Sequence, residues 1–133
     1  MGLLKLLNLS SLFSNFRSEK KQMNWNKLNT AEQLDEIKKE SKERPVMIFK
    51  HSTTCPISTT SLSRMERNWK DEDSKNIKAY YFDLLSNRVL SATIASTFGV
   101  EHQSPQVLVI KNGESVHDES HFGISFKDVV GSV

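Results

Sequence analysis

A continuous apolar run, Val46-Met47-Ile48-Phe49, is followed six residues later by the chain's single cysteine, Cys55, with Pro56 directly after it. This feature constrains the fold more than any other. A strand that is apolar at every position is buried on both faces, the condition of a central strand in a parallel sheet covered by helices. Proline suits the first turn of a helix, where its missing N–H costs nothing. Cys55 therefore stands where a buried strand has ended and a helix begins. Pro45 sets the other boundary, because it disfavours a helical conformation at Arg44.

Helix and strand signals alternate around this run. Thr30-Ala31-Glu32-Gln33 has capping-box spacing, and Ala31, Leu34 and Ile37 give one apolar face to a helix ending near Arg44. Leu62, Met65 and Trp69 form the buried stripe of the helix that Cys55 opens. Lys78–Leu85 reads as a second central strand. A third helix starts at about Asn87, turns Leu90, Ile94 and Phe98 inward, and stops at Gly99. Val107–Ile110 is a third strand. Asn112-Gly113 then makes a hairpin turn into a short edge strand near Val116, and a last helix begins at Ser125, with Asp128 at its third position. From residue 30 the order is α-β-α-β-α-β-β-α, with a short strand near Trp25 before it. That order is thioredoxin-like: an α/β fold with a central mixed sheet flanked by helices.

Hydrophobic residues make up 37% and charged residues 26% of the 133, the composition of a soluble globular protein. The 18 basic and 16 acidic side chains are unevenly spread. Residues 1–21 carry Lys5, Arg17, Lys20 and Lys21 against Glu19 alone, so the rest of the chain is slightly acidic. A domain so balanced has no electrostatic footprint for nucleic acid. The opening segment resembles a signal peptide only superficially. Lys5 and Asn8 break its apolar run, no basic region precedes it and no small-residue cleavage site follows. It is also too short and polar to span a bilayer. Leu6, Leu9, Leu12, Phe13 and Phe16 fall on one side of a helix. The expected organisation is an amphipathic helical extension and linker over residues 1–23, followed by a thioredoxin-like domain over 24–133. Leu3 to Phe16 would pack on the domain or a partner, with contact to a membrane surface as the alternative. A lone cysteine closes no internal disulfide and fits a reducing, cytoplasmic setting, with a peripheral place at the membrane as the variant.

The first turn of a helix presents free N–H groups and partial positive charge, which favour an anion. A cysteine placed there is a candidate nucleophile, because the thiolate is the form that exchanges disulfides. Thr54 and Pro56 flank it. Ser58 stands three residues on, where a dithiol motif places its second cysteine. Serine cannot close a disulfide, so a mixed disulfide on Cys55 must pass to an external thiol. The Ser58 hydroxyl is either a donor to the thiolate or an ordinary first-turn serine. Lys50 and His51 close the apolar strand. Either lends positive charge to Cys55, or the two are a loop-facing polar pair, the reading favoured here. His117 and His121 stand four apart without a second pair of ligands, so no metal site is expected.

The stretch Phe49-Lys50-His51-Ser52-Thr53-Thr54-Cys55-Pro56-Ile57-Ser58 resembles the signature of the monothiol bacilliredoxins, thioredoxin-like proteins of the bacillithiol system in Firmicutes. The similarity runs over roughly residues 24–130, and the Cys-Pro-Ile-Ser segment behind Lys-His-Ser is its most specific part. The resemblance implies reduction of mixed disulfides between protein cysteines and bacillithiol, with Cys55 taking the bacillithiol. It also implies no bound cofactor, bacillithiol as co-substrate, bacillithiolated proteins as clients, and bacillithiol or another thiol as reductant. Finally, it implies a cis proline at Pro105, where the Ser104 backbone would pair with the bound thiol or peptide.

Three rival readings remain at this level. A peroxidatic cysteine would share the residue type at Ser52, but Ile48 stands where peroxiredoxins have proline. An iron–sulfur carrier of the monothiol glutaredoxin kind would have glycine and phenylalanine at Pro56 and Ile57. A redox-dead module anchored by residues 1–17 would leave Cys55 unreactive. Because every capped helix and buried strand lies downstream of residue 22, a chain lacking residues 1–22 should keep a cooperative thermal transition. Loss of that transition would place the leucine stripe in the core.

Overall fold

The structure, a computed structural model, describes residues 23–133. The amphipathic extension and the Leu3–Phe16 contact stretch lie outside them. In chain order the elements are β1 (Asn26–Lys27), α1 (Glu32–Glu40), β2 (Val46–His51), α2 (Pro56–Asn68), α3 (Asp71–Asn76), β3 (Lys78–Asp83), α4 (Arg88–Phe98), β4 (Gln106–Lys111), β5 (Glu114–Ser120) and α5 (Phe126–Gly131), with a 3-10 turn at His121–Gly123. The five strands form one mixed sheet in the order β1-β3-β2-β4-β5. β3 runs parallel to both β1 and β2, while β4 is antiparallel to β2 and β5. This is the thioredoxin fold.

All six residues of β2 are buried, as expected of a strand with neighbours on both edges and helices on both faces. The alternation of side chains across a strand divides the core in two. Val46 and Ile48 pack with Leu34 and Ile37 of α1 and with Leu90, Ile94 and Phe98 of α4. Met47 and Phe49 pack with Met65 of α2 and Val129 of α5. Met23 joins this second cluster, so the core reaches back into the stretch read as linker.

Most predicted ends are in place. The Asn87 side chain accepts from the Leu90 N–H and opens α4, which stops at Gly99 with φ at +67°. Asn112 and Gly113 both have positive φ, as the tight hairpin requires. The Ser125 hydroxyl accepts from the Asp128 N–H. Four expectations are corrected. The first helix stops at Glu40 rather than near Arg44, and turns fill the gap. Its capping box is only half made: Gln33 Oε1 accepts from the N–H of Thr30 at 3.0 Å, while the Thr30 hydroxyl donates to Gln33 rather than accepting from it. β3 stops at Asp83, whose carboxylate takes the Leu85 N–H at 3.1 Å and the Ser86 hydroxyl at 2.7 Å and so bends the chain. The helix α3 was not anticipated, because Asp71–Asn76 has no apolar stripe. It is held instead by Asp73, which accepts from the Lys70 N–H at 2.9 Å, and by three acids facing the N-terminal end of the dipole.

Phe49 is fully buried, and Trp25 meets its ring edge-on with centroids 6.0 Å apart. Phe49→Ala should cost about 3–5 kcal/mol of stability, measurable by urea unfolding, because the site cannot collapse onto so large a void.

Candidate active site

Cys55 is the N-cap of α2, with extended backbone angles (φ −101°, ψ 116°) and Pro56 as the first helical residue. Its N–H donates to the Ser52 carbonyl at 3.1 Å, and its carbonyl accepts from the Thr59 N–H at 3.1 Å. The thiol is half-buried and free of any disulfide. Its side chain makes no capping hydrogen bond, so it leaves the first-turn N–H groups of α2 unclaimed. Thr54 and Pro56 are exposed on either side of it.

Ser58 is fully buried in that first turn. Its hydroxyl oxygen accepts from the Ser52 N–H at 3.0 Å and lies 2.6 Å from His51 Nδ1. Burial lowers the pKa of His51, although Asp83 and Glu66 pull it back in part. The ring is held neutral, and the direction of its hydrogen bond to the hydroxyl follows its tautomer. The hydroxyl has as its partners the Ser52 N–H and His51, on the loop and the end of β2. It locks the loop 52–55 against the end of the strand.

The loop-facing reading of Lys50 and His51 is overturned. Both are buried, at 1% and 5% exposure, and alternation sends them to opposite faces of the sheet. His51 lies on the α2 face over Tyr81, with ring centroids 5.6 Å apart. Lys50 lies on the α4 face, where Nζ donates to Gln106 Oε1 at 2.9 Å and to His102 Nδ1 at 2.7 Å. Burial lowers the Lys50 pKa to about 8. His102 is likewise kept neutral, first by burial and then by the Lys50 charge, which leaves Nδ1 free to accept. The Ser91 hydroxyl of α4 reaches the same nitrogen at 2.9 Å. Gln106 completes the knot by donating from Nε2 to the Glu101 carbonyl at 2.9 Å.

These contacts shape a cleft of about 590 Å³ beside the thiol, whose walls include Cys55, Leu84, Leu85, Arg88, His102 and Ser104. The Ser104–Pro105 bond is cis, as the resemblance implied. Ser104 Oγ is buried and has no hydrogen-bond partner among the described residues. The structure thus brings Thr54, Cys55, Pro56, Ser58, Ser104 and Pro105 to one end of the sheet, with Lys50 and His51 beneath. Sequence reasoning missed Arg88, Ser91, His102 and Gln106. One signal was present: Gln106 opens an apolar strand as Lys50 closes one, and the two pair in register. The histidines 117 and 121 have ordinary partners, Glu119 at 2.7 Å and Gln103 at 3.0 Å. Among the described residues no helix is long and apolar enough to cross a membrane.

The sequence profile of the family described as monothiol bacilliredoxin BrxC matches residues 26–129, most of the chain and all of this site. The chain belongs to the monothiol bacilliredoxin family. Solved structures agree with the fold. A thioredoxin-fold protein proposed to be an oxidoreductase is 31% identical, with a TM-score of 0.68 over 80% of this chain and 90% of its own. The Fasciola hepatica thioredoxin (18% identity, TM-score 0.63, 81% of this chain and 99% of its own) shares the fold alone. So does the Malassezia sympodialis thioredoxin Mala s 13 (12%, 0.64, 83% and 88%). A thioredoxin-like redox function follows for this bacilliredoxin, with Cys55 as its one candidate thiol.

The depressed Lys50 pKa has a measurable consequence. Between about pH 8 and the unfolded value of about 10.4 the folded chain has shed a proton that the unfolded chain keeps, so stability rises with pH across that window. Lys50→Met should lack this rise. Any loss from leaving Gln106 unpaired is constant with pH and drops out of the comparison. Urea unfolding of both proteins across the window tests it, and parallel curves would contradict the assignment.

Proposed function

We propose that the protein removes bacillithiol from mixed disulfides on client proteins, with Cys55 as nucleophile. The observation that carries this reading is the N-cap thiol opening onto a cleft while Ser58, at the resolving position, is buried and committed to His51. The thiolate of Cys55 attacks the bacillithiol sulfur. The client–sulfur bond breaks, and the client cysteine leaves with the electron pair and takes a proton from solvent. A Cys55–bacillithiol disulfide remains. A second low-molecular-weight thiol then attacks the bacillithiol sulfur of that disulfide, releases the Cys55 thiolate and departs joined to the bacillithiol as a disulfide.

Family membership supports the chemistry, and the placing of Ser104 in the same cleft wall as the thiol supports a place for the incoming disulfide. Pro56 fixes the start of the helix, and Thr54 sits at the mouth of the cleft. The clients are proteins carrying an accessible bacillithiolated cysteine. The expected setting is the cytoplasm, where such adducts form under oxidative stress.

A bacillithiolated client mixed with the wild-type protein should lose its adduct while Cys55 gains one, seen by mass spectrometry, and Cys55→Ala should abolish the transfer. With no internal thiol to displace it, the adduct on Cys55 should persist until a reductant thiol is added. Ser58→Ala should cost about 1–3 kcal/mol of stability by stranding the buried Ser52 N–H, yet should still form the adduct. A wild-type protein that leaves the client untouched would overturn the reading.

A further inference from the structure

His102 stands in the wall of the cleft onto which Cys55 opens. Both of its short contacts fall on one ring nitrogen: Lys50 Nζ lies 2.7 Å and Ser91 Oγ 2.9 Å from Nδ1. An ammonium has protons to give and no lone pair, so a charged Lys50 makes Nδ1 an acceptor. The neutral ring then carries its hydrogen on Nε2. Among the described residues Nε2 has no hydrogen-bond partner, and the side chain is exposed, so Nε2–H is an open donor at the cleft wall.

Lys50 is harder to explain by packing. It is buried, and its partners His102 and Gln106 are both neutral. A buried ammonium without a carboxylate is costly, and an apolar side chain would fill the same end of β2. The charged groups of the neighbouring elements are turned elsewhere. Asp83 of β3 holds its turn, and Glu101 meets the knot only through its carbonyl. Arg88 of α4 stands exposed at the cleft, and His51 leaves β2 on the other face. Burial brings the Lys50 pKa to about 8, close to the roughly 8.5 of an ordinary cysteine thiol. A proton donor matched in this way to its acceptor and to the working pH is what general acid catalysis requires.

We propose that His102 hands a proton to the departing client sulfur, while Lys50 behind it fixes the ring's tautomer and resupplies the proton. The proposal rests on the exchange reading and adds to it the route of one proton. As the bond between the two sulfurs breaks, the client sulfur keeps the electron pair and takes the Nε2 proton. Nδ1 takes a proton from the Lys50 ammonium, which becomes an amine, and the ring ends neutral with its hydrogen on Nδ1. Ser91 Oγ serves both states, because a hydroxyl donates to a bare nitrogen and accepts from a protonated one. The exposed Nε2 then takes a proton from solvent, the Nδ1 proton returns to Lys50, and the pair is reset. Solvent remains the final source, but the proton is already in place when the sulfur leaves.

The test varies the leaving thiol. A series of client peptides carries bacillithiol on cysteines whose pKa values span about two units around 8.5. A more basic thiol leaves more slowly unless a proton reaches it. The full-length wild type should therefore transfer the adduct at rates that hardly depend on the client. His102→Gln offers Lys50 an acceptor but passes no proton. It should match the wild type on the most acidic client and fall about tenfold behind on the most basic, for a Brønsted slope of about 0.5. Lys50→Met should show the same tilt. Lys50→Arg keeps a charge that does not give up its proton, so it should not restore the wild-type slope. His102→Gln, at an exposed position, carries the test even where a Lys50 variant fails to fold. Equal slowing on every client is the mark of a merely structural role and overturns the relay, while the exchange reaction stands. A wild type that transfers no adduct overturns both. Nitrogen NMR gives an independent reading: at neutral pH the His102 ring of the reduced wild type should carry its hydrogen on Nε2. A ring protonated on Nδ1 instead overturns the relay whatever the kinetics show.

Discussion

Everything at the functional end of this molecule depends on β2 being covered on all sides. β3 and β4 take its two edges and helices take its two faces, so no part of the strand can be satisfied by water. Its first four residues are apolar and meet this condition by packing. Its last two are not. Lys50 and His51 enter the same buried environment, where a polar group without a partner is expensive. Each is satisfied by a residue that also builds the site: Ser58 from the first turn of α2, and Gln106 and His102 from the cis-proline segment. Solving the strand's burial problem is what brings the thiol loop and the cleft wall into register.

This explains the pattern of what the amino-acid sequence made legible. Cys55-Pro56 after an apolar run marks a strand-to-helix junction within a few residues, so the thiol's position was readable. Asn87, Gly99, Asn112-Gly113 and Ser125 act through their own backbone neighbours, and their elements fell where expected. Lys50 and His51 were misread because two polar residues closing an apolar run look like a strand leaving the core. What keeps Lys50 inside lies 52 and 56 residues away in His102 and Gln106, beyond any local spacing. The Ser58–His51 contact spans only seven residues but crosses a loop, so no periodicity announces it. The α3 helix escaped notice because its acids stabilise it from the N-terminal end rather than through a buried face.

The monothiol character is more than the lack of a second sulfur. In a dithiol relative the residue three beyond the nucleophile is redox-active. Here that place holds a hydroxyl that accepts from the Ser52 N–H and is hydrogen-bonded to His51 Nδ1, and it is fully buried. The thioredoxin fold supports many chemistries, and what this chain does is decided at the site rather than by the sheet. The low-identity thioredoxins share the scaffold, whereas the bacilliredoxin profile covers the strand, the loop and the cis-proline step together.

Because Lys50 and His51 leave β2 on opposite faces, the two polar assemblies they anchor have no side chain in common. One, on the α2 side, holds the nucleophile's loop. The other, on the α4 side, braces the wall of the cleft. Mutations around Leu85, Arg88 and Val89, where Leu85 is 40% and Val89 is 78% exposed, can accumulate without passing through Ser58 or His51. The sheet therefore works as a bulkhead: a change in the wall on one side leaves in place the bonds that hold the reactive loop on the other.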